Sequence, residues 1–594
     1  MTAPLGAILV CDENLSADEQ NLGPLLDFFG IPWKIAKIGE MPASAEGGSF
    51  PSYCILSSAS CMAAALQEIA VPEAGLPSWV LNANSVYVHD FRETTPCTKL
   101  LRYLTSTGDG AIRRPVAPEA QLTVTDNFPE MCGPMSGLQV SVKQNEKDNC
   151  FDVSPQAAEH QNIISSDSGE KFLSVARDGV RFFLNASSRI VDISAPAPKY
   201  FDVKDHFCGA VPIVMYLKWA FAGISWRGTA ETRACLIVDD PLLKPRYGFL
   251  RFRDALELMD RYNFTTSIAF IPWNWRRTNR QTVQQFKSRA DRLSLCIHGC
   301  DHSGGEFAAR SSALLNRKIK TAGQRMESLL QRTLLLHDNV MVFPQGMFSP
   351  EAGRALKLNG IVAAANTEVA PSGGAANETK IADLWDVAIM KYGSFSIFTR
   401  RYLSHGLENF AFDALLGKPC LMVAHHEVFK DRARELTEFI GKLNSLKWDL
   451  RWCSLGEVIR YSLKIRNCID GTYGIKMYGS HLEMGNSSTS PIQAIVTKEE
   501  GDPSRVDAVK MNQELIQHSY EDGQLKFKVS VRPGEKVELR VTYFDEVDLD
   551  STKDGIACRI KMGVRRHLSE FRDNYVSQND FLYAVAAKLK GLLN

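Results

Sequence analysis

Residues 234–248 read ACLIVDDPLLKPRYG, a short apolar run that ends on two adjacent carboxylates, Asp239 and Asp240, before Pro241 stops it. A run of this kind reads as a buried strand. Two like charges at its end are costly unless something nearby compensates them. The pair therefore marks a place where chemistry is to be sought.

Working outward, the same texture recurs from about residue 205 to 465: an apolar strand, a polar loop, then an amphipathic helix. ACLIVDD leads to FLRFRDALELMDRY, TTSIAFIP to TNRQTVQQFKSRADR, LSLCIHG to the long helical stretch beginning AARSSALL, and VMVFPQG to SPEAGRALKLNG; IVAAAN, IMKYG and PCLMVAHH follow. Six or seven such units predict a distorted seven- to eight-stranded (β/α) barrel, with its chemistry at the C-terminal strand ends.

Those ends carry polar residues in order: Asp239 and Asp240, then CIHGCDHSGG, VFPQGMF and VAHHEVF. In HGCDH, His298 and His302 stand four apart, a spacing that brings two imidazoles to one side of a turn. Two imidazoles and one carboxylate make a three-ligand site with room for water, as in a catalytic zinc or similar divalent centre. The expected ligands are Asp240, His298 and His302, with Asp239 beside them as general base. Cys296 reads as a core residue, and the chemistry does not require Cys300. Trp273, Trp275, Arg276 and Arg277 fall in one strand-end loop, FIPWNWRRTNR. Indole faces stack on sugar rings and guanidinium groups bind anionic or hydroxyl-rich ligands, so Trp273, Trp275 and Arg276, with Tyr247, are candidate substrate contacts. The competing reading is that the tryptophans plug the barrel rim.

An Asp-Asp pair after an apolar strand, H-x-x-x-H two strands on, a proline-bearing strand end and a last strand ending in histidine resemble the motif series of polysaccharide deacetylases with a NodB-homology domain. The resemblance covers the barrel alone. It implies Asp239 as base, Asp240, His298 and His302 on a divalent metal, zinc foremost, and the Gln345 backbone N–H at the oxyanion. It also implies His425 or His426 as general acid; alternation from Leu421 favours His425. Asp383 or Asp386 in DLWD would be the aspartate that orients the acid. The chain departs from the family where Thr-Phe-Asp-Asp-Gly is usual, having Val238-Asp239-Asp240-Pro241, and the arginine of the third motif is missing. Arg276, Arg277 and Arg246 are the candidate replacements.

The expected activity is metal-dependent removal of N-acetyl groups from an amino-sugar polysaccharide or glycoconjugate. A non-catalytic sugar-binding scaffold on a decayed barrel, and a glycosidase or amidohydrolase on the related barrel, remain open.

At roughly 150 residues per domain, 594 residues predict about three or four domains. Segment 1–110 alternates strand and helix patterns, as in a small α/β domain without a nucleotide-binding glycine motif. Segment 111–204 is β-rich, 205–465 is the barrel, and 466–594 reads as a β-sandwich with C-terminal helices, KVSVRPGEKVELRV looking like a hairpin on a Pro-Gly turn. Basic and acidic residues both number 68, which offers no general attraction to nucleic acid or an anionic membrane. The amino terminus lacks a basic signal-peptide region, and the 14 cysteines show no CxxC pairing. A cytoplasmic protein with reduced thiols and no membrane span is expected.

Overall fold

The computed structural model describes residues 6–40, 52–67, 75–115, 117–153, 160–373, 379–544 and 556–577. The fold is mixed α/β, with a nearly closed parallel barrel between β-rich units. Nine strands build the central sheet: β1 (Thr232–Asp239), β2 (Thr266–Phe270), β3 (Leu293–His298), β4 (Val340–Val342), β5 (Ala363–Asn366), β6 (Ile397–Thr399), β7 (Arg401–Tyr402), β8 (Cys420–Ala424) and β9 (Leu450–Trp452). Their order is β6-β5-β4-β3-β2-β1-β8-β7, every pairing parallel, with β9 beside the start of β1. Edges β6 and β7 are separated in the chain by Arg400 alone, so this residue spans the seam.

Alternation along β1 sorts its side chains between two cores. Ala234, Leu236 and Val238 face the helices in the main hydrophobic cluster, whereas Cys235 and Ile237 face the interior with Ala269, Cys296, Val340, Val342, Ala363, Ala365, Phe398 and Leu421. Small residues at several interior positions fit the narrow barrel. By the same period of two, Asp239, His298, Arg400 and His425 continue inward-facing rows. Amphipathic helices, among them Phe252–Tyr262, Arg280–Ser288 and Arg434–Ser445, cover the outside. No helix among the described residues is long and apolar enough to cross a membrane.

The boundary expected at residue 110 is crossed by one sheet. Strand Val86–His89 pairs in parallel with Val180–Asn185, joining both segments in an eleven-stranded mixed sheet. That pairing spans most of the unit, and local periodicity carries no sign of it. Helix Val203–Ala220, capped by the Asp202 carboxylate on the Lys204 N–H at 3.0 Å, packs in the main cluster shared with the barrel.

The C-terminal unit has two sheets, of five and four strands, around one apolar core. KVSVRPGEKVELRV is not a hairpin: Gln524–Val531 pairs with Ile492–Glu499, while Lys536–Tyr543 pairs with His481–Gly485 in the other sheet. The Pro-Gly turn thus carries the chain across the sandwich. Of the two C-terminal helical patterns, one is the helix Ile556–Phe571, and NDFLYAVAAKLKGLL lies outside the described residues.

Asp386 ties barrel to sandwich, accepting from Tyr478 Oη at 2.5 Å and Lys464 Nζ at 2.8 Å. Asp383 instead accepts from the Lys380 N–H at 2.7 Å as a helix cap. Both aspartates of DLWD are thus occupied in structure, contrary to the role in orienting the general acid. Burial opposes ionisation of Asp386, but Lys464, Lys476 and Tyr478 outweigh it and hold the carboxyl at about 2, against an ordinary 3.8. The pair therefore stabilises the fold fully above pH 4, by on the order of 2 kcal/mol, and this contribution fades as pH falls towards 2. Asp386→Asn should lower the urea midpoint at pH 7 and make stability less steep between about pH 4 and 2, as read by denaturation at stepped pH.

Candidate active site

β1 ends at Asp239, which is 5% exposed and lies at the interior end of its row. Its carboxylate accepts two charge-assisted bonds from the Arg400 guanidinium, Nη1 to Oδ1 and Nη2 to Oδ2, each 2.7 Å. Burial alone would raise this carboxyl, yet Arg400 and then His298 reverse the effect and hold it below the ordinary range. The tether of Asp239 is therefore Arg400, not Arg276, Arg277 or Arg246. Arg246 instead donates to the Gly248 carbonyl, Arg277 pairs with Glu570, and Arg276 stacks over Trp275 at 4.5 Å.

Asp240 has left the strand. Its φ is +81°, a conformation rare outside glycine, so a turn of backbone separates the facing of the two carboxylates. Asp240 Oδ1 lies 3.2 Å from His302 Nε2 and 3.5 Å from His298 Nε2, is buried, and has no hydrogen-bond partner. His298 Nδ1 lies 2.9 Å from the Val342 carbonyl, which only accepts. The ring proton therefore sits on Nδ1, and in the neutral ring Nε2 presents a lone pair. Burial pushes His302 down to about 4, so it is a neutral imidazole near pH 7; at His298 burial is outweighed by the Asp240 and Asp239 carboxylates, which hold the ring above its ordinary value. One donor atom from each of the three side chains lies within 4.8 Å of the other two. Converging oxygen and nitrogen donor atoms suit a cation, and one carboxylate with two imidazoles suits a divalent transition ion. The residues fit the metal that the sequence implied.

A second carboxylate shapes the loop that carries His302. Glu306 accepts backbone N–H bonds from Cys300 at 3.0 Å, Asp301 at 3.1 Å and His302 at 3.0 Å. Gly299, at φ +66°, makes this approach possible, because a Cβ there would fall 2.1 Å from Glu306 Oε1 and 2.4 Å from Pro344 Cγ. Asp301, buried behind the loop, pairs with Arg325 at 2.5 Å and with Lys318. His302 itself has φ +54°, and Gln345 in the next strand-end loop has φ +60°. Non-glycine residues in this conformation cluster at functional sites, where the surroundings hold them.

The two histidines after β8 part company. His425 follows Leu421 and Val423 in the inward row and is an electrostatic neighbour of both Asp239 and Asp240. His426 is buried on the other side, 5.7 Å from the Tyr247 ring and 5.9 Å from Phe249 between centroids. Tyr247 is buried as well, its hydroxyl donating to Asp573 at 2.5 Å. Trp273 is half-buried under Arg325, whose guanidinium lies 4.9 Å from its ring. Trp275 packs on the main core, with Arg276 and Arg332 over its ring. Cys300 is fully buried, and burial raises its thiol well above the ordinary value.

Sequence reasoning did not single out Arg400 or Glu306, and it gave the C-terminal helices no part in the site. Arg400 had a signal in its register with Phe398, and Glu306 in its position four residues beyond His302. Arg400→Ala would leave a buried carboxylate without its counter-charge, and a loss of about 3–5 kcal/mol is expected from chemical denaturation. Arg400→Lys should recover part of this, since a lysine keeps the charge and loses the two-pronged geometry.

No protein-family model and no curated protein matches the chain. Among solved structures it is similar to the carbohydrate deacetylase Agd3, at 11% identity and a TM-score of 0.47 over 92% of this chain and 100% of that one. It is also similar to a family 4 carbohydrate esterase from Streptomyces lividans in complex with acetate, at 11% identity and a TM-score of 0.24 over 38% of this chain and 93% of that one. A family 4 pseudoenzyme from Bacillus anthracis is similar at 12% identity and a TM-score of 0.24, over 39% of this chain and 68% of its own. With identity and superposition this low, the chemistry of the site rests on its own atoms.

Proposed function

We propose that the protein is a metal-dependent hydrolase that removes N-acetyl groups from an amino-sugar carbohydrate. The observation that carries the reading is the meeting of Asp240, His298 and His302 donor atoms beside a separately tethered Asp239. One carboxylate is thereby kept for an ion and the other for a proton.

A divalent ion on Asp240, His298 and His302 would supply a Lewis acid and make water acidic enough to ionise near neutral pH. Asp239 takes the proton of the attacking water. Arg400 occupies one lone pair on each of its oxygens and leaves others to accept, while fixing the plane of the carboxylate. The Gln345 backbone N–H stabilises the developing oxyanion from the loop after β4. His425, from the opposite side of the same barrel mouth, protonates the departing amine. His426, packed against Tyr247 and Phe249, supports the wall. Each residue thus answers one barrier of amide hydrolysis.

Metal analysis and acetate-release assays test the two halves separately. Asp240→Ala and His298→Ala should each lose the bound ion as measured by mass spectrometry of the purified protein. Asp239→Asn should keep the ion and lower acetate release from N-acetylated amino-sugar oligomers by about 10²–10⁴-fold. A wild-type protein that holds no divalent ion, or that releases reducing sugar without acetate, would reject the proposal.

A further inference from the structure

The C-terminal helix Ile556–Phe571 and the π-turn Arg572–Val576 that follows lie against the barrel mouth. Met562, Arg566, Glu570 and Asp573 fall at helical spacing on one stripe of this segment. Glu570 pairs with both Lys244 and Arg277. Asp573 accepts from Tyr247 Oη at 2.5 Å and from Arg572 Nε at 2.6 Å, and Asn574 Oδ1 accepts from the Gly248 N–H at 2.7 Å. The loop that follows the Asp239–Asp240 pair is thereby fastened to the helix at several points.

Arg566 sits among these anchors and differs from them. Only 7% exposed, it forms no ion pair or hydrogen bond among the described residues, and its Nε is fully buried without a partner. Asp240, Tyr247 and Glu306 are its electrostatic neighbours, and its charge also bears on His302. The nearby acids have other commitments: Glu306 to three backbone N–H groups, Asp573 to Tyr247 and Arg572, Glu570 to Lys244 and Arg277, while Asp240 would be taken by the ion of the proposed site. A buried guanidinium without a counter-ion is costly, and a planar donor fork is best satisfied by a carboxylate.

We propose that Arg566 is a specificity-determining residue, held in the mouth of the site by the C-terminal helix to bind a carboxylate on the substrate sugar. The substrate class is then an N-acetylated amino sugar bearing an acidic group, which deepens the deacetylase reading and rests on it. The anchors through Glu570, Asp573 and Asn574 hold the guanidinium in place before the ligand arrives, which reduces the ordering cost of binding.

Calorimetric binding to the full-length, zinc-loaded protein tests this with matched probes: N-acetylmuramic acid and N-acetylglucosaminuronic acid, each against neutral N-acetylglucosamine. At least one acid should bind about tenfold more tightly than the neutral sugar, and Arg566→Gln should bring that ratio to within about twofold. Arg566→Lys, which keeps the cation, should retain part of the preference and controls for any loosening of the helix. An acid preference absent from the wild type, or surviving in Arg566→Gln, would overturn the assignment. So would relief of inhibition by free acetate in Arg566→Gln with the acid-to-neutral ratio unchanged, since the guanidinium would then serve the product. Charge-dependent binding without acetate release from any of these sugars would sink the deacetylase reading and still support the role of Arg566.

Discussion

The buried pair of Asp239 and Arg400 is the constraint on which the barrel mouth depends. Arg400 stands at the seam between β6 and β7, and Asp239 ends β1 across the interior. Removing two charges from water costs several kcal/mol each, and their attraction at 2.7 Å recovers this only with good geometry. Such a pair adds little to net stability compared with apolar residues of the same size. What it adds is direction: breaking it strands a charge, so the seam and the strand end are held in one relative position. The base of the proposed reaction is thereby placed by the closure of the barrel itself.

A second consequence concerns the neighbouring carboxylate. With Asp239 neutralised by Arg400, Asp240 is the acid of the pair left facing the two imidazoles. On a regular strand the two side chains would have pointed to opposite faces. The positive φ of Asp240 removes that conflict at a cost of roughly 1–3 kcal/mol, the amount such strain typically stores. Glu306 performs a similar service for His302, gathering three backbone N–H groups that would otherwise point into a buried loop without acceptors. Two strained positions and one buried carboxylate fix the ligand geometry.

Much of this was legible in the sequence because it rests on short-range rules. Short continuous apolar runs, each followed by a polar loop and an amphipathic helix, marked the barrel strands, and period-two alternation from Leu421 turned His425 inward. It would equally have turned Arg400 inward from Phe398, but β6 is only three residues long and gives the period little to work on. The parallel pairing of Val86–His89 with Val180–Asn185 was hidden, because a sheet joining distant segments leaves no local trace. The Pro-Gly segment misled for a related reason: alternating runs on either side of a turn look alike whether the strands pair or separate into facing sheets. The place where the C-terminal helix docks was the least visible, since Tyr247 and Asp573 lie 326 residues apart. Nothing local to Met562, Arg566, Glu570 and Asp573 marks the barrel mouth as the partner of their stripe.

That helix changes the electrostatic character of the mouth. Asp239 and Arg400 cancel, and imidazoles that bind a metal do so in the neutral form. A divalent ion would more than offset Asp240, the remaining acid of the ligand set. Arg566 then adds a further positive charge that no nearby carboxylate is free to balance, in a setting where burial limits screening by salt. A neutral sugar would leave this excess uncompensated, whereas an acidic one would neutralise it on binding. The proposed preference for an anionic substrate is therefore a property of the whole constellation, with Arg566 the residue through which it acts.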